Sequence, residues 1–270
     1  MAKIHPTAMV DPQADLAEDV EVGPYCVVDA DVEIGAGTVL RPHVIVRRHT
    51  SLGSGNFVDS FSVLGGEPQD YKFDAKTESY LRIGDNNVFR EGVTISRATG
   101  HARATTVGNR TYWMAGSHAG HNAVVGDETV LVNGSVLAGH AEAGRNVILS
   151  SHAGVHQFCW IGDLVMVQGN AGLSMHVPPY MLAAMPINKL VGLNIVGLRR
   201  APYLCAEDRR QIKEAFRITY RSGLTPLQAL EKMDSATDWG EAAGRFREFI
   251  RKVLTAKAPY NRGLCPLRSR

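Results

Sequence analysis

Aliphatic side chains recur every six residues at Val10, Leu16, Val22, Val28, Ile34, Leu40, Val46, Leu52, Val58 and Leu64. Few folds accept that period. An amphipathic helix needs apolar positions near every 3.6 residues, so no helical face stays apolar on a spacing of six. Two positions before each aliphatic sits a small or modest residue (Ala8, Ala14, Val20, Cys26, Val32, Thr38, Val44), and Gly23, Gly35, Gly53 and Gly65 follow one directly. The pattern predicts short strands whose inward side chains alternate in size, each followed by a tight corner at the glycine.

The phase breaks over 66–82 and resumes at Ile83, Phe89 and Ile95. It breaks again over 97–104, then runs through Val107, Trp113, Ala119, Val125, Leu131, Leu137, Ala143, Leu149, Val155, Ile161, Val167 and Leu173. Twenty-five hexads with two insertions result. Such an array reads as a parallel β-solenoid of triangular coils, three hexads or 18 residues each, stacked at about 4.8 Å into roughly eight coils.

Val177, Pro178, Pro179 and Tyr180 end the repeat, because proline donates nothing to the next ladder. Helical signals follow the linker prolines Pro186 and Pro202. The stretch 207–222 carries Ile212, Ala215, Phe216 and Tyr220 on one face and stops at Gly223. Thr225, Pro226 and Gln228 form a capping-box start, and a third helix is expected from about Asp238, with Glu241 three residues on and Ala242, Phe246, Phe249, Ile250 and Val253 on its apolar side. The organisation expected is a β-solenoid domain over 1–186, with insertions near 66–82 and 97–104, and a small helical domain over 187–270.

No apolar run approaches the roughly 18 residues of a membrane span, and the N-terminal stretch MAKIHPTAMVDPQ lacks a basic segment leading into an apolar one, so a cytoplasmic location is expected. Cys26, Cys159, Cys205 and Cys265 lack CxxC spacing and are read as reduced thiols. Up to Asn188 the chain has 12 basic against 19 acidic residues, whereas from Lys189 it has 17 against 8. The basic C-terminal part suits a solvated face or attraction of an acidic or phosphate-bearing partner; no nucleic-acid motif accompanies it.

Five of the ten histidines fall between His118 and His156. With 18 residues per coil, His121, Gly139 and Gln157 form one column and Asn122, His140 and Phe158 the next. His118 and His156 lie close by, so four histidines share a strip about 10 Å long. Any one of them alone reads as a solvent-facing residue; gathered together they suit proton transfer near neutral pH. His152 has no such place and is read as structural.

The hexads, the insertion carrying QDYK, and the strings HAGH, LAGH, VHQF, HVPPY and LNIVGLRR resemble the UDP-N-acetylglucosamine 3-O-acyltransferases of lipid A biosynthesis over essentially the whole chain. The hexads alone indicate only the wider hexapeptide-transferase superfamily; VHQF, VPPY and GLRR, in order and at matching spacing, are the specific part. The resemblance implies a mainly β chain: a left-handed parallel β-helix followed by a small C-terminal α-helical domain, assembled as a homotrimer with sites between subunits. It implies transfer of a 3-hydroxyacyl chain from acyl carrier protein to the 3-hydroxyl of UDP-N-acetylglucosamine. The carrier's phosphopantetheine thioester is the donor, and no cofactor or metal is expected.

By the same resemblance, His121 is the general base and the Gly139 N–H the oxyanion donor. Gln69, Asp70, Lys72, His118, His140 and Gln157 become substrate contacts, His156, Asn194 and Arg200 nucleotide contacts, and Gly169 the residue limiting acyl length. Four residues depart from the pattern: Asn122 stands where aspartate is common, Ser96 for histidine, Val196 for glutamate and Ala201 for a second arginine. Two other acceptors or activities stay open: a 3-amino UDP-sugar, and a zinc-dependent γ-type carbonic anhydrase, which also carries histidines on such a β-helix. A non-catalytic scaffold gives no reason for histidines to collect on one strip.

Overall fold

The structure is a computed structural model describing residues 1–235 and 239–268. Its β part is a left-handed parallel β-helix of triangular section. Short strands build three sheets, which begin with Lys3–Ile4, Met9–Val10 and Asp15–Leu16; among the described residues they contain eleven, nine and eight strands, all of two to four residues and paired in parallel except the last strand of the first sheet. Regular coils pair residues 18 apart, as Lys3 with Glu21 and His118 with Val136. The two insertions lengthen individual coils without disturbing the stack, since Phe57 pairs with Val88 and Val88 with Tyr112.

The hexad aliphatics form a dry column: Leu40, Leu64, Ile95, Leu131, Leu137 and Leu149 are fully buried. Positions two before them also point inward and include polar residues that satisfy one another. Asn56 Oδ1 accepts from the Asn87 side chain at 3.0 Å, and Asn87 Oδ1 accepts from Thr111 Oγ1 at 2.7 Å. Such buried amides are tolerated because each polar atom has a partner.

The glycines after the aliphatics serve a purpose other than the one expected. In the regular coils the corner turns three residues past the aliphatic, where the backbone is left-handed whether or not the residue is glycine, as at Tyr25, Asp31 and His43. Gly23 and Gly35 are instead sites of close coil contact: a Cβ there would lie 2.9 Å from Leu40 O and 2.7 Å from Gly53 C. At these two positions only a missing side chain lets the next coil approach this closely.

Past the prolines, strand Met181–Ala184 still stacks in parallel on the first sheet, and Lys189–Leu193 adds to it antiparallel, so the sheet extends beyond residue 186. Four helices follow: α1 (Ile195–Arg200), α2 (Ala206–Arg221), α3 (Pro226–Asp234) and α4 (Glu241–Leu254). The expected capping box closes α3, with Thr225 and Gln228 bonding each other's backbone N–H. Asp238, the expected start of the last helix, lies outside the described residues; α4 begins at Glu241 behind Gly240. Its apolar face buries Ala242, Phe246, Ile250 and Val253, while Phe249 is half-buried.

The chain then returns to the β-helix. His176 bridges Leu264 in parallel, its N donating to Gly263 O at 2.9 Å and its O accepting from Cys265 N at 2.8 Å. The His176 ring is buried and stacks on Trp160. Its Nδ1 accepts from Trp160 N at 3.0 Å, which leaves Nε2 as the donor to Tyr260 O at 2.7 Å. Among the described residues no helix is long and apolar enough to cross a membrane.

Candidate active site

The histidine strip occupies the corner between the second and third sheets. Strand His118–Ala119 belongs to the second sheet and Val124–Val125 to the third, so 120–123 make the turn between them. Register places His118 below Val136 and Ala119 below Leu137, which sets His121 under Gly139. The two coils are tied there by His140 N donating to His121 O at 2.9 Å. The His121 ring fills the space a side chain at 139 would need: a Cβ on Gly139 would lie 2.8 Å from both Cε1 and Nε2 of His121. Among the described residues nothing accepts from the Gly139 N–H. A Cβ at Gly120 would lie 2.7 Å from that nitrogen, so glycine at 120 keeps it uncovered. Gly120 was not singled out from sequence; its signal, a glycine directly after a hexad aliphatic, was read as a corner device.

A second imidazole flanks His121. The His140 ring meets it edge-on with centroids 5.2 Å apart and stacks on Phe158 at 4.7 Å. These corner residues form a ladder because Asn122, His140 and Phe158 all adopt left-handed backbone angles, φ +61°, +59° and +62°. Burial, followed by the neighbouring charge of His121, pushes His140 below the usual imidazole value, with Asp70 opposing. Burial likewise lowers His118, whose Nδ1 lies 2.8 Å from Thr94 Oγ1. Burial thus disfavours the charged form of both, which suits them to hydrogen-bonding a ligand rather than to pairing with an anion. His121 Nδ1 lies 2.9 Å from Asn122 Oδ1.

The first insertion folds beside this corner. Asp70 organises its own turn, accepting from Lys72 N at 3.0 Å, and lies close enough to act on His140. Gln69 and Lys72 are exposed next to it. What holds the loop is Arg97, a buried arginine of the second insertion. It donates to Thr77 O at 2.9 Å and Ala75 O at 3.3 Å, and its guanidinium lies 5.1 Å from the Phe73 ring centre. No sequence pattern pointed to Arg97, because its partners are backbone carbonyls.

Higher on the same corner, His156 and Gln157 are exposed and Phe158 meets Tyr260 of the returning C-terminal segment, centroids 5.3 Å apart. The remaining site residues stand elsewhere. Gly169 follows strand Met166–Val167 of the first sheet, at the corner with the second. Asn194 and Arg200 lie over the outer face of the first sheet, where Val130, Ile148, Met166 and α1 line a groove of about 870 Å³. Asn194 caps α1, accepting from Gly197 N at 3.0 Å, and its amide donates to Leu164 O at 3.0 Å. This groove and His121 are on different sides of the triangular prism.

Residues 176–265 match the family model described as "Udp N-acetylglucosamine O-acyltransferase; Domain 2". An acyl-[acyl-carrier-protein]–UDP-N-acetylglucosamine O-acyltransferase of Thiobacillus denitrificans is 45% identical over 86% of this chain and 90% of its own length. A Stenotrophomonas maltophilia protein of the same name is 41% identical over 92% and 94%. The chain belongs to the acyl-[acyl-carrier-protein]–UDP-N-acetylglucosamine O-acyltransferase family. The crystal structure of the Moraxella catarrhalis UDP-N-acetylglucosamine O-acyltransferase superposes with a TM-score of 0.89 at 37% identity, over 97% of this chain and 99% of that one. A Francisella novicida UDP-N-acetylglucosamine acyltransferase does so with 0.89 at 31%, over 99% and 95%.

Against that O-acyltransferase background, the four departures fall in two places. The buried Ser96 ends strand Thr94–Ser96 of the second sheet, and Asn122 stands in the turn next to His121. Val196 is exposed on α1 and Ala201 caps its C-terminus, both at the groove holding Arg200. Arg145 lines that groove as well, a cation the sequence reading did not select. Among the described residues no three His, Cys, Asp or Glu side chains converge as a metal-binding group.

Proposed function

We propose that this chain transfers a 3-hydroxyacyl group from acyl carrier protein to the 3-hydroxyl of UDP-N-acetylglucosamine, the first step of lipid A biosynthesis. The observation that carries the reading is the stacking of His121 Nε2 under the uncommitted N–H of Gly139. A base and an oxyanion donor one coil apart bracket the volume where a carbonyl carbon is attacked. His121 Nε2 takes the proton of the sugar O3 as that oxygen attacks the thioester carbonyl. Gly139 N–H stabilises the oxyanion, and collapse of the intermediate expels the carrier's phosphopantetheine thiolate, which recovers the proton from His121. The thioester supplies the activated acyl group, so the reaction asks for no further cofactor.

Asp70, Gln69 and Lys72, with neutral His118 and His140, are proposed to hold the sugar, and Gln157 and His156 the part of the substrate two coils higher. Asn194 and Arg200 are proposed to meet the nucleotide diphosphate, for which the arginine fork is suited, and Gly169 to leave room for the acyl terminus. Because these last residues stand on another side of the prism from His121, the reading includes a homotrimer in which the groove of one protomer faces the catalytic corner of the next. The basic C-terminal part, where Lys189 onward carries 17 basic and 8 acidic residues, would steer the acidic carrier protein in the cytoplasm. The test is incubation of the purified protein with 3-hydroxyacyl carrier proteins of several chain lengths and UDP-N-acetylglucosamine or its 3-amino analogue, read by mass spectrometry. The expected product is the 3-O-acyl nucleotide sugar; its absence for every chain length contradicts the proposal.

A further inference from the structure

The second insertion, 97–104, closes against the residue beside the base. Thr99 N donates to Asn122 Oδ1 at 2.9 Å, and Asn122 Nδ2 donates back to Thr99 O at 3.1 Å. This reciprocal pairing of a side-chain amide with a backbone amide allows only one orientation of the carboxamide. Thr99 Oγ1 adds a third contact by donating to the same Oδ1 at 2.7 Å. From below, Asn122 N donates to Thr105 Oγ1 at 2.8 Å. With Nδ2 committed to Thr99, the oxygen is the atom presented to His121 Nδ1, 2.9 Å away.

That geometry settles the tautomer of the neutral ring. An amide oxygen only accepts, so the neutral His121 ring carries its proton on Nδ1, and the lone pair is on Nε2, the nitrogen under Gly139. The insertion loop therefore sets the tautomer that a base at Nε2 requires. It also sets the chemical type of residue 122. A carboxylate in the same place would accept from Thr99 N, Thr99 Oγ1 and His121 Nδ1 equally well, but its second oxygen would face the Thr99 carbonyl where the amide now donates. Two acceptors would then oppose each other about 3 Å apart.

We propose that Thr99 is a positioning residue for His121, acting through Asn122, and that its loop demands an amide at 122. Asparagine is then the built partner of this loop rather than a weakened aspartate. The inference rests on the reading of His121 as general base. The groups facing that ring are Asn122 on its own turn and His140 from the coil above, with Asp70 of the first insertion beyond His140.

Four variants test it: Asn122→Asp, Asn122→Ala, Thr99→Val and Thr99→Ser. Each is measured for kcat and KM across pH 6 to 9, alongside wild type, and for the ring nitrogen shifts of His121 in protein labelled with ¹⁵N-histidine. The expectation is an Nδ1–H tautomer in wild type. In Asn122→Asp, kcat falls at least ten-fold at neutral pH with KM for the nucleotide sugar little changed, and the acid limb moves to higher pH because a carboxylate favours the imidazolium. Thr99→Val, which loses the hydroxyl donor but keeps both backbone bonds to Asn122, falls several-fold in kcat with the Nδ1–H tautomer retained, whereas Thr99→Ser restores the rate. Asn122→Asp as active as wild type, or an unchanged Nδ1–H signal in Asn122→Ala, overturns the proposal. Should wild type transfer no acyl group at all, the assigned function fails, and the nitrogen shifts alone still decide whether the loop sets the tautomer.

Discussion

The Cβ position of Gly139 lies 2.8 Å from Nε2 of His121, nearer than any real side-chain carbon approaches a ring. One coil therefore restricts the chemistry of the next. A methyl group at 139 has to displace the imidazole or lift the coil, and either change separates the base from the neighbouring N–H.

Gly139→Ala is accordingly expected to lower kcat by roughly 10²- to 10³-fold, the range seen when one oxyanion donor is lost. Thermal stability should shift by a few degrees at most if the ring yields. Steady-state kinetics with a melting curve check this. Unchanged kcat would remove Gly139 from the mechanism.

Arg97 holds the loop that carries Asp70 and Lys72. Replacing it with methionine keeps the bulk against Phe73 but leaves the carbonyls of Ala75 and Thr77 without their donor. The expected loss is about 1–3 kcal/mol of stability, together with a several-fold rise in KM for the nucleotide sugar, because the loop no longer stands fixed beside His140. Denaturant titration and kinetics measure the two effects separately.

His176 ties the C-terminal segment to the last coil as a neutral ring, its titration pushed below the usual imidazole range chiefly by burial. Its contribution is complete above the unfolded-chain value, about 6.5, and is lost as pH falls through the lowered folded value. The melting temperature should thus drop between pH 7 and pH 5. In His176→Gln the drop should be smaller but still present, since burial also lowers His49, His118 and His140. An identical pH dependence in the variant would assign the effect elsewhere.

The proposed sharing of one site between two protomers makes a distinctive prediction. His121→Ala and Arg200→Ala homo-oligomers should each be poorly active, while trimers reassembled from a mixture should regain activity, because one interface in such a trimer combines two intact halves. Arg200 acting on the catalytic corner of its own chain would give no recovery.

Much of this was legible in the sequence because a six-residue period is rigid. Once the coil is 18 residues, the stacking of His121, Gly139 and Gln157 follows, and register confirms that spacing at His118 and Val136. The start of α3 was equally readable from Thr225, Pro226 and Gln228. What escaped depended on backbone atoms or on distant returns of the chain. Arg97 meets carbonyls that leave no mark in a residue pattern, and the amide clamp of Thr99 on Asn122 forms through an insertion that the hexads do not register. The six-residue α1 is too short for periodicity to show, and the return of Cys265 to His176 spans almost ninety residues. The glycines after the aliphatics were visible, yet their reason, the separation of stacked coils, needed coordinates.

The most direct measurement is the rate of acyl transfer by His121→Ala, with oligomer mass and melting temperature recorded on the same sample. An intact assembly with transfer reduced by 10²-fold or more is the predicted result, the usual scale for loss of a positioned base. Near-normal transfer by an intact His121→Ala assembly would contradict the account.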